Sequence, residues 1–439
     1  MKKLISIFVL ALLGLSTQAG AAVLGDVDAN GTVDVSDVTA LINKILGSAD
    51  YDASRCDVNA DGKIDVSDAT TLINIILGNY EDPNLKLVGG DISLLSKYEA
   101  NGAIYYDKTG ARVTDMLGFY KQIGMNAMRV RLFVDPSKAS ATDKAGGVCQ
   151  DIAFVAALGK KIKDAGHKFI LDFHYSDSWA DPGKQTIPSR WATLTPEVLA
   201  DTVYVYTKSS LEALVAAGAT PDLVQVGNET TYGMLWPSGR CYPSGADYGS
   251  GTWNNFASYF NSGARAVREV CPKARIIAHV EMGNANNPTN FFIQARNHSL
   301  DYDIMGLSYY PAYHATSTTV VSALETLLKK LEVQIPEHNI MIMETGYSYA
   351  WAMPDTKDAN ISKNYPYTEA GQAKYTSELV TMLNKHEKVK GLFWWWPEQN
   401  EYGLNWSTNR VTDGWWNASL VNNNTGKILQ AQYELSNFK

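Results

Sequence analysis

Two glutamates each close a short apolar run. Leu223-Val224-Gln225-Val226 leads into Gly227-Asn228-Glu229, and Ile340-Met341-Ile342-Met343 leads directly into Glu344. A buried parallel strand looks like this where it surfaces at its carboxyl end: continuous apolar residues, then an abrupt polar tip. Carboxyl groups delivered on two strand ends suit glycoside hydrolysis, in which one protonates the leaving oxygen and the other attacks the anomeric carbon or activates water. Glu229 and Glu344 are the candidates by position. Glu281, at the end of a third run, competes with them; its alternative reading is an ion pair or a hydrogen bond to substrate.

Other polar and aromatic residues fall at neighbouring run ends: Arg131, Asp172 with His174, His279, Tyr309 with Tyr310, and the triplet Trp394-Trp395-Trp396. Arg131 is expected beside the nucleophile, because an opposite charge lowers a carboxyl pKa; a structural salt bridge is the other reading. The three tryptophans cannot all be core, since successive strand residues point to opposite faces. Trp395 and Trp396 are therefore expected to form part of a sugar platform. Neither paired histidines with zinc-ligand spacing nor a Gly-x-Ser-x-Gly elbow occurs, so zinc and serine-esterase chemistry are disfavoured.

These ends need a scaffold. Eight strand candidates span 88–92, 127–132, 168–173, 223–226, 276–280, 304–308, 340–343 and 391–395, with helical stretches such as 151–165, 195–217, 254–270, 320–331 and 368–385 between them. Eight buried strands alternating with helices predict an α/β fold of the (β/α)8 barrel type, with its site at the strands' carboxyl ends. A doubly wound open sheet is the alternative, but it calls for a Gly-rich phosphate turn, and Val88-Gly89-Gly90-Asp91 is too short a match.

Ahead of the barrel lies a repeat with different chemistry. Asp26, Asp28, Asn30, Asp34 and Asp37 recur as Asp57, Asn59, Asp61, Asp65 and Asp68, with Gly31 and Gly62 at the sixth loop position. This is the spacing of a calcium loop, with Asp at position 12 where the common EF-hand has Glu; the carbonyls of Thr32 and Lys63 supply position 7. Each loop leads into an apolar i, i+3, i+4, i+7, i+8 stripe: Val38, Leu41, Ile42, Ile45 and Leu46, then Ala69, Leu72, Ile73, Ile76 and Leu77. Bound metal suits so small a unit, which buries little core unaided. Metal-free Asp-rich turns capping two helices are the plainer reading, and duplication of the whole ligand pattern disfavours it.

The remaining sequence bounds the setting. Residues 1–22 have a basic start, an apolar run and a small-residue exit, which reads as a secretory signal peptide; the run is too short to span a membrane. A linker is expected over 80–86. With 45% hydrophobic and 19% charged residues the chain is globular, and a net charge of −8 argues against nucleic acid or an anionic membrane as partner. Export permits a disulfide among Cys56, Cys149, Cys241 and Cys271 without specifying a pair.

Residues 24–79, with two loop–helix copies, resemble a dockerin domain; the resemblance implies two calcium ions and a cohesin-like protein partner. Over 87–439 the motifs are Gly89-Gly90-Asp91-Ile92-Ser93, Arg129-Val130-Arg131, the run from Asp172 to Gln185, Gly227-Asn228-Glu229, Gly233-Met234-Leu235-Trp236-Pro237 and Ser308-Tyr309-Tyr310-Pro311. Together they resemble family 53 glycoside hydrolases, the arabinogalactan endo-β-1,4-galactanases. The resemblance implies retaining hydrolysis of β-1,4-galactan in pectic arabinogalactan, with Glu229 as acid/base, Glu344 as nucleophile and no catalytic cofactor. It also matches Arg131, His174, Asn228, Tyr309 and Trp395 to positions that line the cleavage site, and Asp177, Trp179, Asp181, Trp236 and Trp396 are further candidates for substrate binding. Three places depart from the family pattern: Thr230-Thr231-Tyr232, Ala315 after His314, and Trp396 where Glu is common. They bear on subsite preference and product length. A mannanase of similar barrel and a catalytically silent polysaccharide-binding or docking protein are the competing readings; Asp181-Pro182-Gly183-Lys184-Gln185 favours galactan over mannan, and the retained carboxyl pair favours an enzyme.

Overall fold

A computed structural model describes residues 23–77, 85–284 and 286–439. The expected signal peptide and most of the expected linker lie outside the described residues. The chain divides into two compact units that meet between Leu85 and Lys86.

In the first unit, helices α1 (Val35–Ile45) and α3 (Val66–Ile76) flank a short α2 (Ala53–Cys56). Both long helices start the same way for the same reason. Asp34 and Asp65 accept from the backbone of Ser36 and Ser67, while Asp37 and Asp68 reach back to the N-cap amides, closing two capping boxes. Leu41, Leu72 and Cys56 form a small core. The apolar stripes exceed what that core covers. Val35 and Val66 are each 70% exposed, Ile42 and Ile73 each 43%, and Leu46 and Leu77 73% and 62%. Each repeat thus leaves the same apolar face uncovered.

The second unit is a closed barrel of eight parallel strands: β1 (Leu87–Asp91), β2 (Ala127–Leu132), β3 (Lys168–Phe173), β4 (Leu223–Val226), β5 (Arg275–Glu281), β6 (Ile304–Tyr309), β7 (Asn339–Thr345) and β8 (Val389–Trp395). β1 pairs with both β2 and β8, which closes the ring and removes any open sheet alternative. Alternation divides each strand. Ala127, Ile170, Leu223, Ile277, Ile304, Met341 and Phe393 fill the barrel interior, and their immediate neighbours pack outward against the helices. Gly89 is required here: a Cβ on it would meet the Ala127 carbonyl at 1.6 Å.

One inward step further up, the interior turns polar. Arg129, Asp172, Gln225 and His279 follow the apolar layer at two-residue steps and are fully buried. β7 breaks the rule usefully. Leu392 pairs with Ile342 and Trp394 with Thr345, so β7 holds an extra residue there. This bulge lets Met343 stay in the interior cluster while Glu344 enters the cleft. All four cysteines are free thiols, so no disulfide contributes. Among the described residues no helix is long and apolar enough to cross a membrane.

Candidate active site

At the carboxyl ends of the strands lies a cavity of about 690 Å³ whose lining includes Glu229, Glu344, Glu281, His174, Asn228 and Asp181. Glu229 sits just past β4 with φ 45°, in the left-handed region that side chains rarely adopt. Such backbone costs on the order of 1–3 kcal/mol and persists where surrounding contacts over-determine it. Here Gly227, itself at φ 86°, makes the preceding turn, because a Cβ would meet Thr230 Cγ2 at 2.6 Å. Thr230 Oγ1 donates to the His279 carbonyl, and Thr231 Oγ1 accepts from the Glu281 amide, tying the end of β4 to β5. The Thr230-Thr231 departure is thus part of what holds Glu229 in place.

Glu344 has different surroundings. Its Oε1 lies 3.1 Å from an Arg129 guanidinium nitrogen, and its Oε2 accepts from Tyr310 Oη at 3.0 Å. Arg129 also bonds Asp91 (3.0 Å), Asp172 (2.8 Å), the Asn228 amide oxygen (2.8 Å) and Gln225 (3.2 Å), so every arm of its guanidinium is held. Burial is the largest influence on Asp172 and raises its pKa, yet Arg129, His174 and His279 together outweigh it and the group sits below its ordinary value. Burial pushes Glu344 up to about 7, against the pull of Arg129 and Tyr310. Burial and the charge of Glu344 raise Glu229 further, well above the carboxylate range. Glu344 therefore ionises first, and Glu229 keeps its proton.

Two expectations shift by two residues or one. Arg131 is not the partner of Glu344. It pairs with Asp91, and its guanidinium lies under Trp179 and Trp395 at 4.9 and 4.8 Å from the ring centroids. Arg129, one inward step deeper, lies level with the carboxyls; both arginines face inward by alternation, and only depth separates them. Tyr309 likewise points outward into the helix layer, where its hydroxyl bonds the Val320 carbonyl. Ile304, Gly306, Ser308 and Tyr310 form the inward set, so Tyr310 reaches Glu344. Strict alternation from Ile304 carries that signal in the sequence.

Two further residues lie away from the cleft. Asp177 Oδ2 accepts from the amide and hydroxyl of Ser189, both at 2.8 Å, and so caps the turn Ser189–Trp191. Trp236 donates to the Tyr232 carbonyl, and its face is covered by Arg240 at 4.0 Å. Both sit in long loops, where strand periodicity gives no orientation.

The other residues meet in the cleft. His174 Nδ1 accepts from the Ala180 amide at 3.0 Å, leaving the proton on Nε2, 3.1 Å from Asp172. Burial lowers its pKa, so the ring is neutral. Asn228 Nδ2 donates to the Ala180 carbonyl at 2.8 Å, keeping one N–H free. Glu281 Oε2 lies 2.9 Å from His314 Nε2, so it has a side-chain partner of its own in the cleft. Trp394 is fully buried and donates to the Ala418 carbonyl. Trp396 has φ 54°, which turns it back beside Trp395: the two rings stack at 5.1 Å and 22°, and both line the cavity. Trp395→Ala is expected to keep the fold and lose galactan cleavage; unfolding by circular dichroism would show the ring to be core instead.

The first unit fits a cation. Ligand oxygens of Asp26, Asp28 and Asp37 lie within 4.8 Å of one another, two of these residues are buried, and Arg55 meets only Asp26, at 3.1 Å. The second loop repeats the turn. Asn59 accepts Asp61 N, Asp57 accepts Gly62 N, and Asp68 accepts Asn59 N as Asp37 accepts Asp28 N.

A barrel whose cleft holds two buried carboxyls, one of them set against an arginine, has the site layout of a glycoside hydrolase. The comparisons with known proteins narrow this. The model of glycosyl hydrolase family 53 matches residues 87–433, and that of the dockerin type I domain matches residues 24–77. The chain belongs to glycosyl hydrolase family 53 and carries a dockerin type I domain. It is 29% identical to the endo-beta-1,4-galactanase of Bacillus subtilis (strain 168), over 76% of this chain and 80% of that protein. To an arabinogalactan endo-beta-1,4-galactanase of Thermothelomyces thermophilus it is 28% identical, over 68% of this chain and 86% of that one. Among solved structures, the Ignisphaera aggregans GH53 catalytic domain superposes with a TM-score of 0.67 at 27% identity, covering 80% of this chain and 95% of that one.

Proposed function

We propose that this enzyme is an exported endo-β-1,4-galactanase that hydrolyses the galactan chains of pectic arabinogalactan with retention of configuration. The observation that carries the reading is the unequal pair: Glu344 held by Arg129 and Tyr310, opposite a Glu229 that burial and charge keep protonated. The relatives' activity on galactan supports the choice of substrate.

In the first step the Glu344 carboxylate attacks the anomeric carbon. The bond from that carbon to the glycosidic oxygen breaks as Glu229 gives this oxygen its proton. The product is a galactosyl ester of Glu344 and a Glu229 carboxylate. In the second step Glu229 takes a proton from water, the water oxygen attacks the same carbon, and Glu344 leaves as carboxylate. Arg129 stabilises Glu344 whenever it is charged, and Tyr310 fixes the oxygen that does not attack. Trp179 and Trp395 offer apolar ring faces for sugar, and the buried Trp396 backs Trp395. New reducing ends released from purified β-1,4-galactan test the reading. None from galactan, with release from β-mannan, would overturn it.

The dockerin unit is proposed to hold two calcium ions and to dock a cohesin-like protein, its uncovered apolar helix faces offering contact area. Without metal, crowded carboxylates repel one another in each loop. Chelator is expected to raise hydrogen exchange in α1 and α3 while barrel strands stay protected and activity survives. Unchanged exchange in both helices would remove calcium from the account.

A further inference from the structure

Behind Glu229 lies a buried chain of polar groups that the two-step mechanism leaves unused. His279, on β5, is fully buried between two elements. Its Nδ1 lies 3.3 Å from the backbone nitrogen of Glu229 and 3.1 Å from Asn228 Oδ1, and its Nε2 lies 2.9 Å from Ser308 Oγ on β6. Asn228 Oδ1 already accepts from Arg129 at 2.8 Å and Gln225 at 3.0 Å, which fills both lone pairs. A third donor has no place there. His279 Nδ1 is therefore the bare nitrogen that accepts the Glu229 N–H, and the ring proton sits on Nε2. That proton is donated to Ser308 Oγ, so the Ser308 hydroxyl must donate onward. The same ring holds the Glu229 amide, and this hydroxyl pulls the pKa of the Glu229 carboxyl down against its other surroundings, which makes that carboxyl its acceptor.

We infer that Ser308, oriented by His279, is a positioning residue for the acid/base: it donates to one oxygen of Glu229 and so keeps the transferable proton on the other, cleft-facing oxygen. This rests on Glu229 being the acid/base as proposed above. After the first step the same donor stabilises the Glu229 carboxylate that proton transfer leaves behind. No bond to Ser308 or His279 breaks; both keep their protons throughout. Burial holds the His279 pKa well below its ordinary value, so the ring stays neutral and cannot reverse the direction of the chain. The charged or titratable groups facing Glu229 are Glu344 on β7, Glu281 on β5, Asp181 after β3, His279 itself and Tyr310 after β6. Of these, the carboxylates all oppose ionisation of Glu229. Ser308 is the side chain that favours it.

The test is Ser308→Ala, with Ser308→Thr as the hydroxyl-retaining control, on galactan and on an aryl β-galactobioside with a good leaving group. Losing one hydrogen bond to a charged group is expected to lower kcat/KM on galactan about tenfold. On the aryl substrate the loss shrinks to about twofold, because a good leaving group needs little acid assistance. The alkaline limb of kcat/KM on galactan moves to higher pH, since the carboxylate has lost a donor. Ser308→Thr restores the wild-type limb. Equal losses on both substrates, or an alkaline limb that stays in place, would overturn the inference while leaving Glu229 as acid/base intact. A wild-type enzyme inert on galactan would instead remove the parent reading, and this one with it.

Discussion

Glu344→Ala enzyme is expected to fold and to turn over neither galactan nor an activated aryl galactoside. The loss should be roughly 10⁴- to 10⁶-fold, the scale of removing a catalytic nucleophile. Folding survives for an electrostatic reason: Arg129 keeps Asp91 and Asp172, so no buried cation is left unpaired. The loss spans both substrate types because a better leaving group cannot replace the attacking atom. Steady-state kinetics on both substrates, with circular dichroism as folding control, reads the result. A Glu344→Ala enzyme that turns over galactan normally would show that the nucleophile lies elsewhere, with Glu281 the next carboxyl to test.

Glu229→Ala should behave differently, and the difference separates the roles. Galactan, whose leaving group is a sugar hydroxyl, loses its acid and slows by roughly 10²- to 10⁴-fold. An activated aryl galactoside still forms the glycosyl ester, because its leaving group departs unprotonated. The ester then persists for want of a base, and added azide, which needs no base, releases it as the β-galactosyl azide. The pH dependence follows from the order of ionisation. Wild-type kcat/KM rises as Glu344 ionises and falls as Glu229 loses its proton, so the variant keeps the acid limb on the aryl substrate and loses the alkaline one. Azide that leaves the rate unchanged, or an alkaline limb that persists, contradicts the assignment of Glu229.

Periodicity carried much of this protein and failed in identifiable places. All eight barrel strands were legible, because a buried parallel strand is a continuous apolar run and eight such runs alternate with helices; β2, β3 and β4 begin and end where the runs do. The carboxyls were legible as run ends. Arg131 stands out in the sequence and Arg129 does not, because a run end marks the cleft's rim, whereas the charge that holds Glu344 lies one inward step below it. Tyr309 and Tyr310 both mark the run end, and only alternation through Ser308 separates the outward ring from the inward one. The bulge in β7 leaves no trace in Ile340-Met341-Ile342-Met343, since one extra residue does not disturb an unbroken apolar run. It is nevertheless what turns Glu344 into the cleft. Trp396 depends on a left-handed backbone that no local pattern announces, and Asp177 and Trp236 lie in loops whose partners are far away in sequence. In the first unit the repeat fixed the helices, while the exposed Ile42 and Ile73 show that helical spacing marks an apolar stripe without saying what covers it.

The central claim is that Glu344 becomes covalently bound to sugar while Glu229 manages the protons. An activated 2-deoxy-2-fluoro β-galactobioside tests this most directly, because the fluorine slows both steps while the good leaving group restores the rate of the first, so the ester accumulates. Proteolysis of the inactivated enzyme and mass spectrometry of its peptides are expected to place one glycosyl adduct on Glu344, absent from Glu344→Ala protein. An adduct on Glu229 or Glu281, or steady release of sugar with no adduct at all, would contradict the account.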